Sequence, residues 1–257
     1  MEHNTVLVSF LAENYFTQLH TSLKKYIRKK NAADLHKARV CMKKLRCLIQ
    51  FASDSGLPGK WKRYEKGLHK IFRKAGKVRD LQVCMALLHE YALEEKNLYR
   101  FFERKYATGV RKFEHSALRY LPQIKQIKHK LSKKEICTTT EVLSRYVVAC
   151  NDHLLLLLGI SDSNDYWHDI RKEIKKILYT REWLEADVFP VRPELISLYV
   201  QMERTAGEWN NEQVLLAAIT DKKNRKLAQY EFEQQRNTLA EELNAIAKKI
   251  SAQNFPQ

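Results

Sequence analysis

Apolar residues recur every three or four positions along most of the chain, which is the spacing of one face of an α-helix. The clearest case is the stretch from Leu35 to Gln50, whose apolar face consists of Leu35, Ala38, Met42, Leu45 and Ile49. The strict alternation that indicates a β-strand is hard to find anywhere. Glycine and proline, which weaken helices, number 7 and 5 among 257 residues. The pattern therefore predicts an all-α protein.

The same periodicity, together with the turn residues, divides the chain into predicted elements. We expect helices over about 5–29, 35–53, 61–95, 94–134, 140–158, 165–186 and 221–250. The first helix is expected to bury Leu7, Phe10, Leu11, Phe16, Leu19, Leu23 and Ile27. Gly76 is expected to break or tighten the third helix, and Pro122 to kink or end the fourth. The segment 131–140 is expected to link two halves of the chain, and 159–165 to form a turn.

Two rows of cations lie beside the apolar faces of the second and third predicted helices. The first row is His36, Arg39, Lys43 and Arg46, and the second is Lys62, Lys66, Lys70, Arg73 and Lys77. Like charges at these spacings repel by a few tenths of a kcal/mol per pair. Acidic residues that would offset the repulsion are nearly absent from 36–50 and 60–79. The rows therefore indicate a polyanion as the binding partner.

The charge of the whole chain supports this interpretation. Lys and Arg number 46 against 30 Asp and Glu, which gives a net charge of +16. Residues 1–134 hold 31 cations and 11 acids, a net +20, whereas 135–257 hold 15 and 19, a net −4. An anionic partner is expected, of the class of nucleic acid, membrane surface or another polyanion. The first half of the chain is expected to bind it.

The cysteines and the apolar runs indicate the cellular compartment of the protein and whether it binds a metal. The five cysteines are odd in number and form no CxxC or Cys/His cluster, so we expect reduced thiols and no metal site. The N-terminal residues lack the basic region of a signal peptide. The longest aliphatic run, Leu154–Leu158, is far shorter than the ~20 residues that span a bilayer. We therefore predict a cytoplasmic protein with no membrane partner.

An internal repeat relates the two halves. His168, Arg171 and Lys175 follow His36, Arg39 and Lys43 by 132 residues. The apolar positions repeat at that offset as well, and Gly207 follows Gly76 by 131. A duplication of two helical bundles, over 1–134 and 135–257, accounts for both landmarks.

The motif HxxRVxxKKLR, followed about 40 residues later by GxxRDLQV and repeated in tandem, resembles the CHAD family, the conserved histidine α-helical domains. The resemblance covers nearly the whole chain, 1–257. It implies two pseudo-symmetric four-helix bundles around a basic groove, and binding of inorganic polyphosphate. The residues that it implies as ligand contacts are His36, Arg39, Lys43, Arg46 and Arg79, with His168, Arg171 and Lys175 in the second copy. Association with polyphosphate granules is a further expectation from the resemblance.

The two copies are not equivalent. The second copy replaces most cations of the third helix, and only Arg73 keeps a counterpart, in Arg204. We therefore expect asymmetric binding in which the first copy makes most contacts. Asp80, the one acid of the basic motif, is interpreted as structural, like Gly76 and Gly207.

The basic surface is also compatible with other functions. The main alternative is an RNA- or DNA-binding protein that uses the same basic surface, but Tyr64 and Phe72 fall in the apolar register, where they do not stack on bases. A phosphohydrolase would need an acidic metal cluster, which the row positions do not offer. We predict a protein without catalytic activity or cofactor. The two histidines are compatible with a buried structural role, with donation to phosphate or, least well, with metal binding.

Overall fold

The computed structural model describes residues 5–90, 96–160, 166–219 and 222–254, and 87% of these are helical. Their eight α-helices are α1 Val8–Lys29, α2 Ala32–Asp54, α3 Trp61–Glu90, α4 Lys96–Leu131, α5 Thr140–Ile160, α6 Trp167–Thr180, α7 Pro193–Ala218 and α8 Lys222–Asn254. Two short strands, β1 (Thr5–Leu7) and β2 (Cys137–Thr139), complete the elements used below. The prediction of an all-α protein is confirmed.

The chain forms two compact units. One consists of Met1–Ala86 with Glu94–Val142, and the other of Leu87–Leu93 with Leu143–Gln257. The predicted pseudo-symmetry of two bundles around a basic groove stays a prediction.

In the first unit, α1 packs against α2 and α4. The apolar face predicted for α2 is confirmed, because its five residues are all fully buried. The Asn31 side chain accepts a hydrogen bond of 2.8 Å from the Ala33 amide, which caps the start of α2. Burial of the apolar face fixes the rotation of α2, and this places the cations of the neighbouring face at the surface of the unit.

The start of α1 differs from its prediction. Residues Thr5–Leu7 form β1, which pairs antiparallel with β2 and joins Leu7 to Cys137. Leu7 and Phe10, both expected in the core, are 38% and 60% exposed. The predicted link at 131–140 therefore contains a strand. Three residues are too few to display the alternation by which a strand is recognised in a sequence.

Gly76 does not break α3 and Pro122 does not end α4, whereas a kink at Pro122 stays a prediction. Gly76 lies inside an unbroken α3, and Pro122 lies inside α4. A single glycine costs a helix about 1 kcal/mol, which packing along thirty residues outweighs.

In the second unit, α6 packs against α7, and α7 against α8. The apolar face of α6 is buried as predicted, with Trp167, Ile170, Ile174 and Ile177 at most 2% exposed. A 3₁₀ turn at Arg181–Trp183 follows, where the sequence predicts a continuing helix. Of the predicted turn at 159–165, residues 161–165 lie outside the described residues.

One helix in the described part of the chain is long and apolar enough to cross a membrane by length and composition. It is α5, over Thr140–Gly159, with a mean hydropathy of 1.2. Core helices of soluble proteins pass the same test, so the observation is weak evidence for a membrane span.

The pairing of β1 with β2 gives a test of the fold. Ser9 is 2% exposed, and its hydroxyl accepts a hydrogen bond of 3.2 Å from the Ile136 amide. We predict that Ser9→Ala lowers the free energy of unfolding by about 1–3 kcal/mol, because the buried amide loses its acceptor. Chemical denaturation followed by circular dichroism measures the change. The control is Ser197→Ala, which removes an exposed bond within α7 and is expected to change stability by less than about 0.5 kcal/mol. Equal effects of the two changes would contradict the prediction.

Candidate functional site

Four cations of the first unit gather where α2 faces α3. We call them, together with the residues that hold them, the α2–α3 basic site: Arg39, Lys43 and Arg46 from α2, and Phe72, Gly76, Arg79 and Asp80 from α3. The Cζ atoms of Arg39 and Arg46 lie 4.8 and 5.1 Å from the centroid of the Phe72 ring. Each such contact contributes roughly 0.5–2 kcal/mol, depending on its exposure. One ring thus holds two guanidinium groups that would otherwise repel each other.

Arg39 also contacts the backbone of α3. Its Nη1 donates a hydrogen bond of 3.5 Å to the Phe72 carbonyl oxygen, a bond at the long limit. One turn further along α3, a Cβ atom on Gly76 would lie 3.0 Å from the same nitrogen. Glycine at this position therefore leaves the space that the guanidinium fills. The structural role predicted for Gly76 thus has a geometric basis, although it is not the helix break that the sequence indicated.

Asp80 is the acid within the site. Desolvation raises the pKa of its carboxyl, and the charges of Arg39, Arg79 and Lys43 oppose that rise. Burial lowers the pKa of Arg39, while Asp80 acts in the opposite direction. Asp80 still has solvent contact, and each of the three cations beside it favours the ionised form of its carboxyl. One acid among four cations leaves a net positive site.

The second predicted row lies on the exposed surface of α3. Lys62, Lys66, Lys70, Arg73 and Lys77 are all exposed on α3, and none forms an ion pair with a carboxylate among the described residues. Lys66 and Lys70 line a cleft between α3 and α4. Two members of the row therefore border this cleft, and binding of a polyanion by the row stays a prediction.

The two histidines are exposed, so neither is a core histidine. His36 borders a shallow groove toward α1, together with Gln18 and Cys41. His168 lies beside Asp169 and helps to lower the pKa of that carboxyl, whose main stabilising partner is Lys172. Among the described residues, no group of three or more His, Cys, Asp or Glu side chains is placed to hold a metal ion.

The second unit repeats the arginine–glycine contact, with one difference. A Cβ on Gly207 would lie 2.9 Å from the Arg171 Nη2. The Arg171 Nε donates to the Glu203 carbonyl oxygen at 3.2 Å, as Arg39 does to Phe72. The Glu203 carboxylate, however, accepts from Arg171 at 2.9 Å and from Lys175 as well. The two cations predicted to bind ligand are therefore already paired.

The remaining cation of the second copy is also close to an acid. Arg204 Nε lies 4.0 Å from the Glu208 carboxylate, one turn along α7. Both groups are more than half exposed, so the pair is weak. In the first copy, the sequence counterparts of Arg204 and Glu208 are Arg73 and Lys77, which are both positively charged.

Phe72 and Glu203 are the two site residues that sequence reasoning missed. Phe72 falls in the apolar register of α3, yet it is only partly buried. Its neighbours on α2 are two arginines rather than core residues. Glu203 follows Phe72 by 131 residues, the offset that relates Gly207 to Gly76. Comparison of the two copies at that position would have identified the exchange of an aromatic ring for an acid.

Comparison with known proteins bears on the fold and the family. A family model described as the CHAD domain matches residues 11–219. The crystal structure of the CHAD domain from the plant Ricinus communis is similar, with a TM-score of 0.67 and 14% identity, over 98% of this chain and 88% of that one. PptA from Streptomyces chartreusis is similar too, with a TM-score of 0.63 and 12% identity, over 98% of both chains. At these identities the two structures show the fold alone. No curated protein matches the sequence.

The space at Gly76 can be tested by filling it. We predict that Gly76→Ala displaces the Arg39 guanidinium, because the added methyl group would stand 3.0 Å from Nη1. Affinity for inorganic polyphosphate, the ligand that the family resemblance implies, should fall by roughly threefold to tenfold, which corresponds to about 0.7–1.4 kcal/mol. Titration calorimetry measures the affinity, and thermal denaturation the stability.

The matched control is Gly109→Ala on α4. The added Cβ there would meet Leu81 and Val78 at 3.6 and 3.7 Å, which is ordinary contact. Both changes raise helix propensity by about 1 kcal/mol, so stability should not separate them. Unequal affinity with similar stability supports the assignment, whereas an unchanged affinity in Gly76→Ala would refute it.

Proposed function

The chain belongs to the CHAD domain family, and we propose that it binds inorganic polyphosphate through Lys and Arg side chains without catalysing a reaction. The observation that carries the proposal is the α2–α3 basic site, in which Phe72 and Gly76 hold two arginines in place before any ligand arrives. A free Arg or Lys side chain loses up to about 2 kcal/mol of conformational entropy when it is immobilised. Side chains that are already held lose less on binding, so more of the electrostatic attraction appears as affinity.

The chemistry of the side chains suits a chain of phosphates. Arginine donates two parallel hydrogen bonds to phosphate oxygens, and lysine acts as a mobile point charge. Arg39, Arg46 and Arg79 with Lys43 supply both kinds in one site. The net charge of +20 over residues 1–134 raises the local concentration of any polyanion.

The aromatic residues of the site favour phosphate over nucleic acid. Proteins that bind single strands stack bases on exposed aromatic rings. Here two guanidinium groups cover Phe72, and Tyr64 is buried at 8% exposure, in edge contact with Phe16 and Trp61. The Phe72 ring is already engaged by two cations, and the Tyr64 ring is packed in the core. The geometry therefore supports a ligand that has phosphates and no bases.

The proposal assigns unequal roles to the two copies. Arg39, Lys43 and Arg46 contribute most of the binding. Arg171 and Lys175 contribute less, because Glu203 already neutralises part of their charge. The proposal includes a cytoplasmic location, which the cysteines and the N-terminal residues predict, and association with polyphosphate granules, which the family resemblance implies.

Charge reversal tests the function directly. We predict that changing Arg39, Lys43 and Arg46 together to Glu reduces the affinity for long-chain polyphosphate by at least about a hundredfold, since it replaces three attractions with repulsions. Changing Arg171 and Lys175 to Glu should cost roughly tenfold or less. Fluorescence anisotropy of labelled polyphosphate measures both, and circular dichroism establishes that each variant is folded. Retained affinity in the first variant would refute the function, and equal losses would refute the asymmetry.

Removal of the acid in the second copy should have the opposite effect. We predict that Glu203→Gln raises the affinity for polyphosphate by roughly threefold to tenfold, because Arg171 and Lys175 lose the carboxylate that pairs with them. Glu241→Gln, an exposed position on α8, changes the net charge equally and serves as the control. An affinity no higher than that of the control would contradict the role of Glu203.

A further inference from the structure

A second basic surface lies on the other side of α3. Two adjoining clefts of about 320 and 710 Å³ run between α3 and α4 in the first unit. Nine lysines and arginines line them, with no acidic residue among the lining. Sequence reasoning singled out Lys66 and Lys70 of these nine as binding residues, but it placed them in a row with Arg73 and Lys77.

The two clefts meet at Tyr120. Its ring lines both of them and lies against Gly67, where an added Cβ would stand 3.3 Å from the ring. Gly67 and Gly76 are nine residues apart, which is two and a half turns of a helix, so they face opposite sides of α3. The two glycines of α3 therefore accept side chains from opposite neighbours, Tyr120 from α4 and Arg39 from α2. The cleft and the α2–α3 basic site occupy different faces of α3.

One polar group in the lining of the cleft, the Tyr120 hydroxyl, has no hydrogen-bond partner among the described residues. Tyr120 is 6% exposed, and its hydroxyl is buried without a hydrogen bond to any described group. A buried polar group left unsatisfied is expensive, so such groups in folded proteins mark places where a ligand, ion or water is expected. Burial raises the pKa of Tyr120, which keeps the hydroxyl protonated and able to donate. No hydrogen bond to a described residue fixes the direction of this hydroxyl.

Cations line the cleft on both helices. Arg63, Lys66, Lys70 and Lys74 come from α3, and Arg119 comes from α4 beside Tyr120. Lys74 donates a hydrogen bond of 2.6 Å to Ser116, which fixes one of the cations across the cleft. None of the five forms an ion pair with a described carboxylate. The positive charge of the cleft is therefore available to a ligand.

The shape of the cleft restricts the kind of anion. Lining residues on α3 extend from Arg63 to Lys74, which spans about 16 Å at the rise of a helix. A single phosphate would contact a small part of that length. The lining tyrosines, Tyr64 and Tyr120, are both more than nine-tenths buried and present no open face for a base. A linear anion with several phosphoryl groups and no bases fits these features.

We propose that the α3–α4 cleft is a second binding site for a linear oligophosphate, in which Arg63, Lys66, Lys70, Lys74 and Arg119 contact the chain and the Tyr120 hydroxyl donates to one of its oxygens. The identity of the ligand rests on the function proposed above. The choice of residues rests on the cleft alone. A long polyphosphate then meets cations on two faces of α3. Two linked sites bind one chain more tightly than either alone, because the second contact forms at a high effective concentration.

The experiment isolates the cleft in the full chain. In a background that carries Arg39→Glu, Lys43→Glu and Arg46→Glu, titration calorimetry with sodium tripolyphosphate should still detect binding, most of it at the cleft. Lys70→Glu with Arg119→Glu should reduce that remaining affinity by at least about tenfold. The matched control is Lys25→Glu with Arg28→Glu, which makes the same change in charge at two exposed positions of α1 outside both sites. It should reduce the affinity by less than about threefold.

Tyr120→Phe tests the role of the hydroxyl without changing the charge of the cleft. The change removes one oxygen that has no partner among the described residues, so the melting temperature should stay equal or rise. Tripolyphosphate affinity in the background should fall by roughly threefold to tenfold. Absence of binding in the background, or equal losses from the cleft and control variants, would overturn the proposal. Unchanged affinity in Tyr120→Phe would remove Tyr120 from the site.

The outcomes of the two proposals are distinguishable. If Arg39, Lys43 and Arg46 prove irrelevant to long-chain polyphosphate while the cleft variants reduce binding, the cleft stands and the α2–α3 basic site fails. If single-stranded RNA displaces tripolyphosphate from the background variant at equal phosphate concentration, the cleft is a nucleic-acid site and the inference is wrong.

Discussion

The position of the Arg39 guanidinium is the constraint on which the basic site depends. It lies over the Phe72 ring, donates to the Phe72 carbonyl, and fills the space that Gly76 leaves on α3. Arg46 shares the same ring, and Asp80 is held among the neighbouring cations. Packing of the apolar face of α2 sets the direction of these side chains. The core and the site are therefore two faces of one helix, and the burial of the first arranges the second.

The two copies show how one position changes the function of an otherwise repeated contact. Both place an arginine against a glycine and a helix carbonyl. At the residue that supplies the carbonyl, the first copy has a ring that adds support without cancelling charge. The second copy has Glu203, which adds support and cancels charge. Arg171 is thus better held and less available than Arg39. The asymmetry of binding that we propose therefore rests on a single side chain.

The sequence predicted what depends on local periodicity and missed what depends on contacts between helices. The buried face of α2 and that of α6 follow from spacing alone, because burial repeats with the helical turn. The strands β1 and β2 are too short to show a period. Phe72 has the spacing of a core residue and the surroundings of a surface one, since its neighbours on α2 are arginines. Tyr120 and Gly67 meet across two helices, and no pattern within either helix indicates that contact.

The central claim is that pre-oriented cations on α2 and α3 select a phosphate chain rather than a nucleic acid. Direct competition tests it: labelled long-chain polyphosphate bound to the wild-type chain is displaced by unlabelled polyphosphate, single-stranded RNA or double-stranded DNA at about 0.15 M salt. The account predicts that polyphosphate competes at least about tenfold better per phosphate than either nucleic acid, and that the preference persists as salt is raised. Equal or stronger competition by RNA or DNA would contradict the account.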